Sequence, residues 1–215
     1  SGASVVRKPL HSRDSALMVA ALEQLGAAVT ELPGPGPFGP DLRIDPVSPG
    51  AVLDGPVTVD CGLAGTVMRF VPPVAALCSG TVVLDGDDAA RVRPMAPVVE
   101  GLRQLGVRVE DGGRGTLPLS VVGTGTVPGG TVTIDASGSS QFVSALLLAA
   151  VRFDSALVLR HDAPGGVPSL PHVGMTLQVL RDAGVSAERV SEREWRVEPG
   201  TVAGLDVTVE PDLSN

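Results

Sequence analysis

One stretch of this chain occurs three times. Ala21-Leu22-Glu23-Gln24-Leu25-Gly26-Ala27-Ala28-Val29 is echoed by Gly101-Leu102-Arg103-Gln104-Leu105-Gly106-Val107-Arg108-Val109 and by Val179-Leu180-Arg181-Asp182-Ala183-Gly184-Val185. The three glycines fall 80 and 78 residues apart. Each copy reads as the end of an amphipathic helix, a glycine that closes it, and the start of a strand. A strand-like run precedes each copy: Ala3-Ser4-Val5-Val6, Thr81-Val82-Val83-Leu84 and Ala156-Leu157-Val158-Leu159. Repetition on this scale signals an architecture built from stacked copies of one supersecondary unit.

Downstream of the glycine come a hairpin and then a second, more apolar helix. It begins at Gly65-Thr66-Val67-Met68-Arg69-Phe70 and again at Ser139-Ser140-Gln141-Phe142. The second of these follows a strand-like run, Gly130-Thr131-Val132-Thr133-Ile134-Asp135, and carries almost no charge. It is therefore expected to be buried nearly all round. The order within a unit is strand, helix, strand, helix, then further strands. The frame is displaced, however. The chain opens in the strand that should follow an apolar helix. It closes at Val209-Glu210-Pro211-Asp212-Leu213-Ser214-Asn215, where a strand ends and a helix cap would begin. The expectation is a piece of a longer protein; the alternative is a complete protein with one degenerate repeat.

Composition narrows the function classes. The net charge of −8 leaves no large basic face for duplex DNA or an anionic membrane. Four Phe, one Trp and no Tyr supply few platforms for stacking single-stranded bases. Cys61 and Cys78 make no disulfide framework and are expected to be reduced, buried thiols in a cytoplasmic protein. Three scattered His without close Cys spacing give no support for a zinc site. No apolar run is long enough for a membrane span, and neither a span nor a signal peptide is expected from this sequence.

The polar residues at helix starts are the candidate ligand contacts. Ser139 or Ser140 is expected to cap the apolar helix, and the same hydroxyls, free N–H groups and the Gln141 amide suit an anion such as phosphate. Gly65 would let a ligand approach the backbone, and Thr66 either caps or binds. Arg69 lies about one turn into an apolar helix, so it either pairs with a carboxylate or faces an anionic cleft. Pro94 is expected at a helix start, which places Arg93 beside the positive end of the dipole, a misfit unless an anion compensates. Arg13 is expected to pair with its neighbour Asp14. Ser169 is read as a cap that also binds an anion, and His172 as a packed side chain or a ligand contact.

Leu63-Ala64-Gly65-Thr66-Val67-Met68-Arg69, Arg91-Val92-Arg93-Pro94, Ser139-Ser140-Gln141-Phe142 and Ser169-Leu170-Pro171-His172 occur in an order and spacing that resemble the 5-enolpyruvylshikimate-3-phosphate synthases, or 3-phosphoshikimate 1-carboxyvinyltransferases. Enolpyruvyl transferases of the same fold that act on UDP-N-acetylglucosamine lack the Ser-Ser-Gln-Phe pattern. The resemblance implies an α+β fold of βαβαββ repeats with buried helices and outer sheets, one lobe of an inside-out α/β barrel. Residues 1–215 would be the N-terminal lobe of a two-lobe enzyme, without roughly its first 50–60 residues and without the second lobe. It implies transfer of enolpyruvate from phosphoenolpyruvate to the 5-hydroxyl of shikimate 3-phosphate with phosphate release, and no metal or organic cofactor. Carried over by position, Ser139, Ser140 and Ser169 would hold shikimate 3-phosphate, and Gln141 would lie between the two substrates. Gly65 and Arg93 would contact phosphoenolpyruvate, with Thr66 and Arg69 on the same wall. Phe70 stands where many members have Pro, and His172 where many have Tyr. The family's Gly-Ser-Lys-Ser segment would precede residue 1 and its acid/base carboxylates would follow residue 215, so the chain alone is expected to be inactive. A stand-alone anion-binding domain, or another transferase of this fold, is the alternative.

Overall fold

The computed structural model describes residues 2–33, 39–48 and 50–210; the cap expected after Glu210 lies outside them. Three sheets of four strands enclose a helical interior. The middle unit shows the pattern whole: β4 (Val57–Asp60), α2 (Gly65–Ala75), β5 (Ser79–Asp85), α3 (Ala96–Gln104), β6 (Arg108–Glu110) and β7 (Leu119–Thr124), with strand order β4-β5-β7-β6. The last unit repeats it with β8 (Gly130–Ile134), α4 (Gln141–Ala150), β9 (Leu157–His161), α5 (Leu170–Asp182), β10 (Ala187–Ser191) and β11 (Glu194–Val197). In both, the first two strands are parallel and a buried helix makes the crossover such a pair requires. The expected α+β architecture of βαβαββ units is therefore the observed one.

The first unit holds β1 (Ser4–Arg7), α1 (Arg13–Gln24), β2 (Ala28–Leu32) and β3 (Asp41–Asp45). Its sheet is completed from the far end of the chain. β12 (Asp206–Thr208) pairs parallel with β1, Val5 facing Asp206, giving the order β12-β1-β3-β2. This β12·β1 pair matches β4·β5 and β8·β9, yet no described residues form its crossover helix.

The three glycines of the repeat do what their spacing predicts. Gly26, Gly106 and Gly184 take φ of 100°, 81° and 85°, where a side chain would be strained. Behind them the N–H groups of Ala27, Val107 and Val185 bond back to Leu22, Leu102 and Leu180 at 3.0, 3.0 and 2.9 Å. Each outer helix thus ends in the same six-to-one closure that aims the chain into the next strand.

α2 and α4 pack against each other at the centre, with Met68, Val71, Phe142, Leu146 and Leu147 all but fully buried. Each such side chain contributes about 1.5–3 kcal/mol on removal from water. In α4 only Gln141 and Leu148 are even half-exposed. α2 is less enclosed: Thr66, Phe70, Val74 and Leu77 form a half-buried stripe at helical spacing. Two cavities of about 580 and 560 Å³ flank this stripe, one reaching Val74 and Leu77, the other Thr66 and Met18 of α1. Ile44 of β3 lines both, so together they follow α2 along the inner face of the first sheet.

Both cysteines are buried and unpaired. Burial, with the charges of Asp60 and Asp85, pushes the Cys61 thiol up to about 12. No helix among the described residues is long and apolar enough to cross a membrane.

Candidate anion site at the helix N-termini

Two strand-to-helix loops interlock to build the first half of the site. Asp60 Oδ1 accepts from Gly62 N–H at 2.7 Å, and Cys61 N–H donates to Asp85 C=O at 2.7 Å. Asp87 N–H donates to Gly62 C=O at 2.9 Å, and a Cβ on Gly86 would lie 2.5 Å from that same oxygen. Gly86 is therefore required by contact between the loops. Arg13 joins them, bonding both Asp87 oxygens at 2.8 and 3.1 Å. That corrects the expected pairing with Asp14: Asp14 and Arg13 share a helical turn, whereas Asp87 comes from the adjacent unit with both oxygens aligned to the guanidinium.

Arg91 and Arg93 divide their work. Arg91 bonds Asp85 at 2.7 and 2.8 Å and Asp88 at 2.9 Å. Arg93 makes one bond, from Nη1 to Leu63 C=O at 2.8 Å, which draws it to the start of α2. Helix α3 begins at Ala96 with a proline in its first turn, so Pro97 takes the place expected of Pro94. Arg93 thus leans on α2's N-terminus rather than on that of α3.

Gly65 is where the pieces meet. A Cβ there would lie 2.7 Å from Arg93 Nη2 and 3.2 Å from Gln141 Oε1. One turn on, Arg69 Nη1 donates to that Oε1 at 2.5 Å. Arg69 is only 5% exposed, its Nε has no partner, and its guanidinium stands 5.0 Å over the Phe142 ring. Burial, and then the charge of Arg93, hold its pKa below the usual arginine range. Among the described residues no carboxylate pairs with Arg69 or Arg93. Two close guanidinium groups beside the N-termini of α2 and α4, without a counter-charge among the described residues, form a strongly anion-attracting cluster.

Gln141 carries this cluster to the start of α4. Asp135 accepts from Ser137, and His161 Nδ1 accepts Ala136 N–H at 3.1 Å, which shapes the loop before the helix. Ser139 provides the cap: its Oγ accepts Gln141 N–H at 3.2 Å. Ser140 is 4% exposed, already helical, and makes no capping bond. The neighbouring α5, tied to α4 by Thr176 Oγ1 donating to Ser144 Oγ at 2.8 Å, brings Ser169. Ser169 sits in the left-handed region (φ 51°, ψ 44°), exposed and with no capping bond. The expected capping bond is absent, and the left-handed backbone departs from the extended conformation a capping serine usually takes. His172 is exposed rather than packed.

The structure joins Gly65, Arg69, Arg93 and Gln141 by direct approach and continues through Ser139 and Ser140. Thr66, next to Gly65, faces a different cavity. Its side chain lines the cavity against α1 with Leu10, Ser12 and Ser15. Sequence reasoning missed Asp87, Gly86 and His161; the acidic run Asp85-Gly86-Asp87-Asp88 was the available signal for the first two. Among the described residues no group of three His, Cys, Asp or Glu is arranged to hold a metal ion.

The family model for EPSP synthase (3-phosphoshikimate 1-carboxyvinyltransferase) matches residues 1–215. The chain belongs to the EPSP synthase family. It is 81% identical over 212 residues to the 3-phosphoshikimate 1-carboxyvinyltransferase of Kocuria rhizophila (strain ATCC 9341 / DSM 348 / NBRC 103217 / DC2201), which covers 99% of the chain and 48% of that protein. The chain thus spans about half the length of this EPSP synthase relative. Two structures of EPSP synthase from Acinetobacter baumannii align with it at a TM-score of 0.80 and 22% identity, over all of this chain and 45% or 46% of theirs. At that identity they establish the EPSP synthase fold alone.

Proposed function

We propose that this lobe forms one wall of a cleft in which enolpyruvate passes from phosphoenolpyruvate to the 5-hydroxyl of shikimate 3-phosphate, with release of phosphate. The observation that carries the reading is the pair Arg69 and Arg93, close together with no carboxylate partner among the described residues and gathered around Gly65 and Gln141 at helix N-termini. Both substrates bear a phosphate and a carboxylate, so each supplies the missing counter-charge. In this reading Arg93, Gly65 and Arg69 serve phosphoenolpyruvate, with Thr66 at the margin. Ser139, Ser140 and Ser169 hold shikimate 3-phosphate through hydroxyls that helix capping does not fully occupy. Gln141 stands between the two ligands.

The lobe's contribution is positioning and charge stabilisation. Arginine donors hold the phosphoenolpyruvate anion while the acceptor hydroxyl approaches, and they offset the charge that grows on the departing phosphate. No residue here is assigned as the acid or base; those carboxylates belong to the rest of a two-lobe, cytoplasmic enzyme that needs no cofactor. The groove along α2 takes an apolar helix from that remainder, the crossover missing between β12 and β1. The 215-residue chain by itself is then inactive.

A domain exchange tests this. In the Kocuria rhizophila relative, the matching 212 residues are replaced by this chain and phosphate release is followed with both substrates. Turnover that falls at least a hundredfold on Arg93→Ala supports the proposal. No turnover from a folded exchange protein, or turnover from the 215-residue chain alone, refutes it.

A further inference from the structure

Among Gly65, Arg69, Arg93 and Gln141, only the Gln141 side chain offers both a donor and an acceptor, so the end it presents shapes what the site recognises. An arginine side chain only donates. The contact from Arg69 Nη1 therefore requires the amide oxygen of Gln141, and not its nitrogen, to face Arg69. That partner has little freedom. Arg69 is enclosed to 95%, being 5% exposed, and its guanidinium stacks 5.0 Å over Phe142, the residue next to Gln141. The same amide oxygen lies 3.2 Å from the Cβ position of Gly65, so any side chain at 65 would disturb the arrangement. Arg93, whose Nη1 bonds the Leu63 carbonyl, makes no hydrogen bond to Gln141.

We propose that Arg69 is a positioning residue: by holding Gln141 Oε1 it fixes the orientation of the amide and leaves the Nε2 protons free for the ligand, making Gln141 a fixed donor. The site then accepts unprotonated oxygens, such as those of carboxylates, phosphates or ethers, at that point and disfavours a ligand hydroxyl that must donate there. This deepens the proposed function and rests on it for the identity of the ligand, though not for the geometry of the pair.

The pair is tested without ligand by nuclear magnetic resonance on the 15N-labelled chain. With four glutamines and one asparagine, the side-chain amide region is sparse, and Gln141→Met identifies the Gln141 signals. Arg69→Met is expected to move the Gln141 amide pair toward free-glutamine positions while those of Gln24, Gln104 and Gln178 stay. A Gln141 pair that does not move overturns the proposal. The second arm uses Gln141→Glu in the exchange protein and does not depend on Arg69→Met folding. This change keeps an oxygen for Arg69 but removes the donor, so thermal stability is expected to hold while KM for phosphoenolpyruvate rises at least tenfold, more than kcat falls. Wild-type KM values for both substrates overturn the proposal. If the parent exchange protein has no turnover, the functional reading fails instead, and the amide signals alone decide the pair.

Discussion

At the scale of single residues, strain and charge sit where a ligand would use them. Ser169 holds a left-handed conformation that costs a side chain about 1 kcal/mol, with no capping bond in return. Ser169→Gly should leave thermal stability equal or higher by up to about 1 kcal/mol while weakening shikimate 3-phosphate binding in the exchange protein. Loss of both together would show that the hydroxyl is structural. Gly65→Ala places its methyl 2.7 Å from the flexible end of Arg93, not from backbone. The expected result is a near-normal melting temperature with affinity for phosphoenolpyruvate down about tenfold, or ~1.4 kcal/mol; calorimetry checks it. Much of this was legible in sequence, because glycine, serine and arginine at helix starts carry their chemistry locally. The partner of Arg13 was not. Asp87 lies a whole unit away, and only the folded loops reveal which carboxylate has the better geometry.

At the scale of elements, helix ends and loops are held by a few buried polar anchors. Asp111, 2% exposed, accepts from Arg103 at 2.8 Å and from Gly115 and Gly113 N–H at 2.8 and 3.0 Å. Burial pushes its carboxyl up, but the Arg103 bond and the two N–H groups outweigh this and bring it down to about 2. A folded-state pKa below the unfolded value means the stabilisation is fully present above about pH 4. It is lost as pH falls through about 2. Asp111→Asn should therefore cost about 1–3 kcal/mol at neutral pH and flatten the fall in stability between pH 4 and 2, read by urea unfolding at each pH. The glycine-closed helices were readable because Gly26, Gly106 and Gly184 recur with the same neighbours. Helix starts were less so. Two prolines, Pro94 and Pro97, compete for the start of α3, and the helix begins between them, after the buried N-cap Met95.

At the scale of the whole molecule, the period of the repeat exposed the architecture, since one unit cannot bury its own apolar helix. What the pattern could not show was how the first sheet is completed, because β12 is three residues long, wholly exposed and without apolar alternation. Its place comes from pairing with β1, reinforced by Arg7, which bonds both Asp206 oxygens at 2.7 Å. The closed interior also predicts the chemistry of its thiols. Cys61 and Cys78, at 0% and 1% exposure and with raised pKa values, should resist alkylation at pH 8 until denaturant is added. Reaction of either in the native state would mean that this interior opens readily.

The pairing of Val5 with Asp206 has a consequence in time. A ribosome adding about 5–20 residues per second needs about 10–40 s to pass from one partner to the other. During that interval the middle and last units, each complete in its own stretch of chain, have already emerged. The first strand thus emerges well before its partner, and until β12 arrives that edge of the sheet stands open in the nascent chain.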